Sequence, residues 1–105
     1  MGAATTVQNE QRNEALAHAN RVRSARAEAK RRIADGRLSA AEVVLFHRRE
    51  IESMSVGDVL TSQQQWGSVR CRKLLRAVGV DERKPLGSLT ERQRRALAAR
   101  LRTIK

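Results

Sequence analysis

Aromatic residues are nearly absent from this chain: one Trp, one Phe and no Tyr among 105 residues. That scarcity argues against an RNA module that stacks splayed bases on several rings. Cys71 is the lone cysteine, so neither an intrachain disulfide nor a cysteine-based zinc cluster is possible. Its place in a helix-patterned run between Arg70 and Arg72 suits a small buried side chain better than a reactive thiol. His18 and His47 sit in separate segments without ligand spacing, so no metal and no cofactor is expected. No run approaches the roughly 18 apolar residues that a membrane span needs. No amphipathic face carries several large aromatics either, so no membrane partner is expected. Met1-Gly2-Ala3-Ala4-Thr5-Thr6 lacks the apolar stretch of a secretory signal, and a cytoplasmic protein is expected. The chain also lacks a nucleophile–base pair, a carboxylate pair and a nucleotide-binding glycine loop. It reads as a non-enzyme.

Acidic residues are half as many as basic ones, 11 against 22, leaving a net charge of +11. Such an imbalance points to a polyanionic partner, most commonly nucleic acid. The charge is uneven: residues 1–38 carry net +4, residues 39–69 net −2 and residues 70–105 net +9. The C-terminal third is therefore the main electrostatic footprint, the N-terminal segment a lesser one, and the middle a spacer or core.

Residues 1–8 are small and polar and read as a disordered N-terminus. Residues 9–34 contain neither Pro nor Gly and are rich in Ala, Arg, Glu and Leu, which predicts one long basic helix. Asp35-Gly36 stops it, with Gly36 placed for a left-handed cap. The apolar stripe of Leu16, Ala19, Val22, Ala25, Ala29 and Ile33 is mostly Ala and buries little. Its cations, Arg21, Arg23, Lys30 and Arg31 among them, are either a solvated face or a second contact to DNA. Residues 37–105 form a helical domain. Ser39-Ala40-Ala41-Glu42 is a capping box opening a helix to about Glu50, with Val43, Val44, Phe46 and Ile51 as core. Met54-Ser55 leads into a short helix with Val56, Val59 and Leu60, ending in the polar run from Thr61 to Gln65. Val69, Leu74, Leu75 and Val78 mark the next helix, closed by Gly79. Pro85 and Gly87 keep residues 81–88 a loop. Thr90-Glu91-Arg92-Gln93 is a second capping box, starting a final helix with Ala96, Leu97 and Leu101 inward. Nothing alternates with strand period, so the fold class is all-α.

The most informative stretch is Gln65-Trp66-Gly67-Ser68-Val69-Arg70, a turn leading into a helix. Gly67 allows close backbone approach, and Ser68 is placed to cap the helix. The first amides of a helix lack intrahelical acceptors and its dipole leaves positive charge there, so the turn is a seat for a phosphate. Arg70, Arg72, Lys73 and Arg76 follow at once. Trp66 is either a packing residue, the commoner role of a lone Trp beside a helix start, or a wedge between base steps.

Residues 54–101 resemble the actinobacterial integration host factor family. The matching pieces are Met54-Ser55-Val56, Val59-Leu60, Trp66-Gly67-Ser68-Val69, Glu82-Arg83-Lys84 with Leu86, and Leu89 with Arg92-Gln93-Arg94-Arg95-Ala96-Leu97. The long Ala/Arg helix also looks like that family's N-terminal helix. The resemblance implies a helix–two-turns–helix module with one helix ending near Gln63, turns over residues 64–67 and a helix from Ser68. It implies DNA contacts by Gln65, Trp66, Gly67, Ser68 and Val69, flanked by Arg70 and Lys73, with Arg83 and Lys84 as the basic loop and Arg92 and Arg95 on the last helix. It further implies a nucleoid-associated protein that binds and bends duplex DNA with low sequence specificity, in chromosome organisation or in phage or mobile-element integration beside an integrase. The chain departs from the family in having Gln64, Gln65 and Ser68 where Pro and Lys are common, and Trp66 where a smaller aliphatic stands.

Two other readings compete. An RNA-binding ribosome-associated or regulatory protein would share the charge but not the aromatics. A coiled-coil dimer through the first helix is disfavoured by its Ala stripe, which lacks Leu or Ile at heptad spacing, so a monomer is expected.

Overall fold

A computed structural model describes the backbone of residues 2–103 and the side chains of residues 10–103. Among the described residues five helices run in order: α1 (Gly2–Ala34), α2 (Ala40–Phe46), α3 (Val56–Thr61), α4 (Ser68–Val78) and α5 (Glu91–Thr103). Short 3₁₀ turns lie at Arg49–Ile51 and Leu86–Ser88. There is no strand among the described residues, only an isolated bridge between Ser55 and Pro85. The architecture is all-α: one long N-terminal helix and a small helical domain.

α1 has 33 residues, about 50 Å at the α-helical rise, and the molecule is 61 Å in its longest dimension. Residues 2–8, expected to be disordered, continue this helix, while Met1 lies outside the described residues. No Pro or Gly interrupts the run from Ala3 to Ala34, and each residue added to an existing helix gains a hydrogen bond. The C-terminal end is a full Schellman cap. Gly36, at φ +75°, donates to Ile33 O at 3.1 Å, and Arg37 donates to Arg32 O at 2.9 Å. Among the described side chains of α1, only those of its last turns are in the core, through Ala29 and Ile33, with Ala25 packed partly against it. Leu16 is 53% exposed, so the N-terminal half of α1 projects beyond the domain.

Met54, Val56, Val59 and Leu60 meet Val44, Cys71, Leu75, Leu86 and Leu97 in a core where each is almost wholly buried. α2 and α5 pack most extensively against each other. α2 is shorter than expected. It ends at Phe46, and His47 and Arg48 turn extended before the 3₁₀ turn brings Ile51 back to the core. Phe46, expected inside, is 79% exposed, because α2 has already turned Val43 and Val44 inward and Phe46 falls on its outer face.

The loop between α4 and α5 is tied to the start of α3. Val56 N–H donates to Lys84 O at 2.9 Å and Gly57 N–H to Glu82 O at 2.8 Å. A Cβ on Gly57 would lie 2.8 Å from that same Glu82 carbonyl oxygen, so the close approach needs glycine. For Gly57→Val the gain in helix propensity is below about 1 kcal/mol, whereas overpacking costs about 1–3 kcal/mol. The steric term wins. The variant should melt lower by several degrees, measured by circular dichroism. A melting temperature at or above the wild-type value would contradict this packing.

Candidate nucleic-acid interface

The polar run after α3 is used to end that helix. Thr61 Oγ1 donates to Gly57 O at 2.8 Å, Ser62 Oγ to Asp58 O at 2.6 Å and Gln63 Nε2 to Leu60 O at 3.0 Å. These side-chain bonds add to main-chain ones at the end of α3, where Asp58 O and Leu60 O also accept from Ser62 N–H and Gln63 N–H at 3.2 Å. Trp66 N–H closes the turn on Gln63 O at 3.2 Å, and Gln65 takes a left-handed backbone conformation, φ +66°. The reversal therefore rests on Gln65 rather than on Gly67, whose φ of −86° and ψ of 173° are open to any residue.

α4 starts one residue away from the expected arrangement. Gly67, not Ser68, occupies the N-cap position, and no side chain caps the helix. The first helical bond is Cys71 N–H to Gly67 O at 3.1 Å, which leaves the amides of Ser68, Val69 and Arg70 without an acceptor among the described residues. The other starts within the domain are closed. Ser39 caps α2 through Glu42 N–H, Ser55 caps α3 through Asp58 N–H, and Thr90 and Gln93 cap α5 reciprocally at 3.1 and 3.0 Å. The exposed start of α4 is thus a cluster of oriented, unpaired N–H groups reinforced by the helix dipole. A Cβ at Gly67 would meet nothing within 4 Å of it. The space around Gly67 is open to a ligand.

Arg70 and Lys73, three residues apart, stand exposed on the same flank of α4. The Arg70 guanidinium lies 4.3 Å from the Trp66 ring centroid. Trp66 itself is half-buried and packed against the core. Val69, expected on the apolar stripe of α4, is 65% exposed beside the unpaired amides. Cys71, Leu74 and Leu75 form the buried face instead. Burial first, and Glu82 second, push the Cys71 thiol above its ordinary pKa, with Arg72 opposing them. Cys71 is a packing residue.

The loop cations fall into two kinds. Arg83 is exposed and leans on Asp81, whose Oδ1 accepts the Arg83 N–H at 2.8 Å and its guanidinium at 3.5 Å. Those contacts, the backbone bond foremost, hold the Asp81 carboxyl below the usual carboxylate range. Lys84 is half-buried and donates to Gln93 Oε1 at 3.1 Å, joining the loop to the cap of α5. Arg72 meets Glu82 at 3.4 Å and links α4 to the same loop. On α5, Arg95 pairs with Glu91 at 2.6 Å while Arg92 is exposed and has no ion pair among the described residues. Exposed pairs of this kind contribute about 0–1 kcal/mol and yield readily to a stronger anion.

The four α1 cations, Arg21, Arg23, Lys30 and Arg31, are all exposed but do not share a face. Arg12, Arg23 and Lys30 recur at eleven and seven residues, about three and two helical turns, and so line one flank. Arg21 lies at heptad spacing between Glu14 and Glu28 on a mixed flank, where Glu28 pairs with Arg32 at 3.0 Å. Composition concealed that division; helical phase reveals it. Sequence reasoning also passed over Arg100 and Arg102, exposed cations on α5 that helix periodicity alone would have placed outward, while Arg76, named after the turn, is exposed on α4.

No family model matches the chain. No curated protein matches it either. Among solved structures it is similar to that of sIHF bound to an 8 bp palindromic DNA. The two share 27% identity and a TM-score of 0.71, over 79% of this chain and 96% of that one. The fold is IHF-like. Among the described residues no helix is long and apolar enough to cross a membrane, and no three His, Cys, Asp or Glu side chains are grouped to hold a metal.

Proposed function

We propose that this chain is a non-enzymatic protein that binds duplex DNA with low sequence specificity and bends it. In this reading it is of the actinobacterial integration host factor type and serves nucleoid organisation or integration, the latter beside an integrase. The observation that carries the reading is the likeness to sIHF, whose structure was determined on DNA. The local geometry agrees with it. The turn over residues 62–67 with α3 and α4 corresponds to a helix–two-turns–helix module, and the unpaired amides of Ser68, Val69 and Arg70 seat a backbone phosphate. Arg70, Lys73, Arg83, Arg92 and Arg95 neutralise its neighbours. Such contacts position a protein on the duplex without reading sequence, since the phosphates are alike at every step.

The exposure of Phe46 removes one reason for disfavouring RNA, because the ring is not consumed by the core. A single free aromatic still falls short of the two or three that base-stacking platforms use. A gel-shift series on duplex DNA, single-stranded DNA and duplex RNA decides between the partners, with duplex DNA expected to bind tightest. Preference for either of the others would overturn the reading.

Gly67→Val tests the turn itself. The side chain meets no protein atom near its Cβ, so the fold is expected to persist. It projects instead where the phosphate would sit. Hydrogen bonds to a charged group are worth about 1.5–3 kcal/mol, so DNA affinity should fall roughly 10- to 100-fold. Loss of affinity only in step with loss of helix signal would make Gly67 a structural residue.

A further inference from the structure

A hollow of about 470 Å³ lies between the C-terminal half of α1 and α2. Ala25, Ala29, Val43 and Ile51 form its apolar lining, and Phe46 stands at its rim with 79% of its surface exposed. Because His47 and Arg48 leave α2 in extended conformation, no described residue folds back over that ring. The patch therefore carries a knob and a hole side by side. Phe is large enough to bury 150–250 Å², and a hollow of a few hundred cubic ångströms is of the size that takes such a group.

The charge around the hollow is unlike that of the rest of the molecule. Glu28 and Glu42 line it together with Arg32, Arg48 and Arg102, and Glu28 is already engaged by Arg32 at 3.0 Å. Within a chain of net +11 this is a nearly neutral rim in which both signs occur. Two carboxylates there make it a poor seat for a phosphate. The same features suit a surface that must meet its own copy, since a two-fold interface needs a patch complementary to itself. We propose that this hollow seats a second copy of the chain, each molecule inserting its Phe46 into the other's hollow, with Glu42 of one facing Arg48 or Arg102 of the other.

This route to a dimer is independent of any coiled coil, the absence of which supported the expectation of a monomer. It also makes a distinctive demand on salt. Two chains of net +11 repel one another over their whole surface, whereas the apolar contact does not depend on ions and the Glu42 pair is a rim contact of small weight, so on balance screening strengthens the dimer. Phosphate binding responds in the opposite direction. Should the DNA reading also hold, a dimer would carry two phosphate-gripping turns and so join two duplexes; that consequence rests on the DNA reading, the dimer does not.

Sedimentation velocity on the full chain without DNA, from low micromolar to near-millimolar concentration and at moderate and high salt, tests the proposal. The wild type should shift from monomer to dimer as concentration rises, and at lower concentration when salt is high. Phe46→Ser should weaken self-association by more than about tenfold, as expected of a central aromatic anchor. Its melting temperature should stay unchanged, because the ring is already outside. Glu42→Arg should weaken the dimer as well. A wild type that is monomeric at every concentration and salt overturns the proposal, and so does equal association of wild type and Phe46→Ser. A parallel gel shift on a duplex keeps the readings apart: absence of DNA binding by the wild type sinks the DNA reading and leaves the dimer result intact. Loss of DNA affinity in Phe46→Ser with no wild-type dimer would make the ring a nucleic-acid contact, against the proposal.

Discussion

Raising monovalent salt fourfold, from 50 to 200 mM, is expected to weaken duplex binding by about 10³- to 10⁴-fold. The estimate follows from the number of phosphates the protein neutralises, since each releases condensed counterions. Exposed Arg70, Lys73, Arg76, Arg92, Arg100 and Arg102 have no ion pair among the described residues, whereas Arg72, Arg83 and Arg95 each hold a carboxylate. The unpaired set, joined by those cations that exchange Glu or Asp for phosphate, supports about five to eight contacts and a log–log slope of roughly −5 to −7. Fluorescence anisotropy on one labelled duplex across a salt series measures it. A slope near −1, or an affinity indifferent to salt, would show that the net +9 of residues 70–105 does not face DNA. Charge reversal at Arg92, which holds no partner, should flatten the slope by about one. The same change at Lys84, whose ammonium is engaged by Gln93, should act mainly on stability.

Much of the fold was legible in the chain because its signals are local. Gly36 and Gly79 both take positive φ and end helices where helix-stop chemistry places them. The Thr90–Gln93 box forms with both of its bonds, while at Ser39 the structure holds the half made by the hydroxyl. What could not be read depends on tertiary register. Phe46 looks like core in any hydropathy window, yet a seven-residue helix with Val43 and Val44 inward leaves no inward place for it. Val69 fails for a related reason: α4 turns its Cys71, Leu74 and Leu75 face inward, and the first turn has nothing above it. The candidate site followed the same pattern. Sequence located the turn but assigned the cap to Ser68, whereas Gly67 is the cap; the left-handed conformation at Gln65 was not foreseen. A glutamine in that region gives no composition signal, because Gly and Asn are the residues expected there.

Reversing the charge of Arg12 and Arg23 together should leave DNA binding by the turn in place and abolish bending. The argument starts from what holds α1 together. Its outer half buries almost nothing: every described side chain from Glu10 to Arg21 is exposed, and an isolated helix of ordinary length is marginal in water. Arg12 and Arg23 share a flank with Lys30, so the projecting helix offers a row of cations some distance from the start of α4. Contacts at both places on one duplex favour a bend, because bending a site of 20–30 base pairs costs only about 1–6 kcal/mol, within reach of a few phosphate contacts. Removing the whole of residues 1–35 would be a poor test, since Ala29 and Ile33 belong to the core and the domain would be damaged with the arm. The two substitutions lie outside the packed turns and should not move the melting temperature. End-to-end energy transfer on a short labelled duplex reads the bend, and anisotropy on the same duplex reads the affinity. Arg21→Glu is the internal control, because Arg21 lies on the flank it shares with Glu14 and Glu28 and away from the row. Bending that survives in the Arg12/Arg23 variant, or that is lost equally in the Arg21 variant, would return α1 to a solvated helix with no DNA of its own.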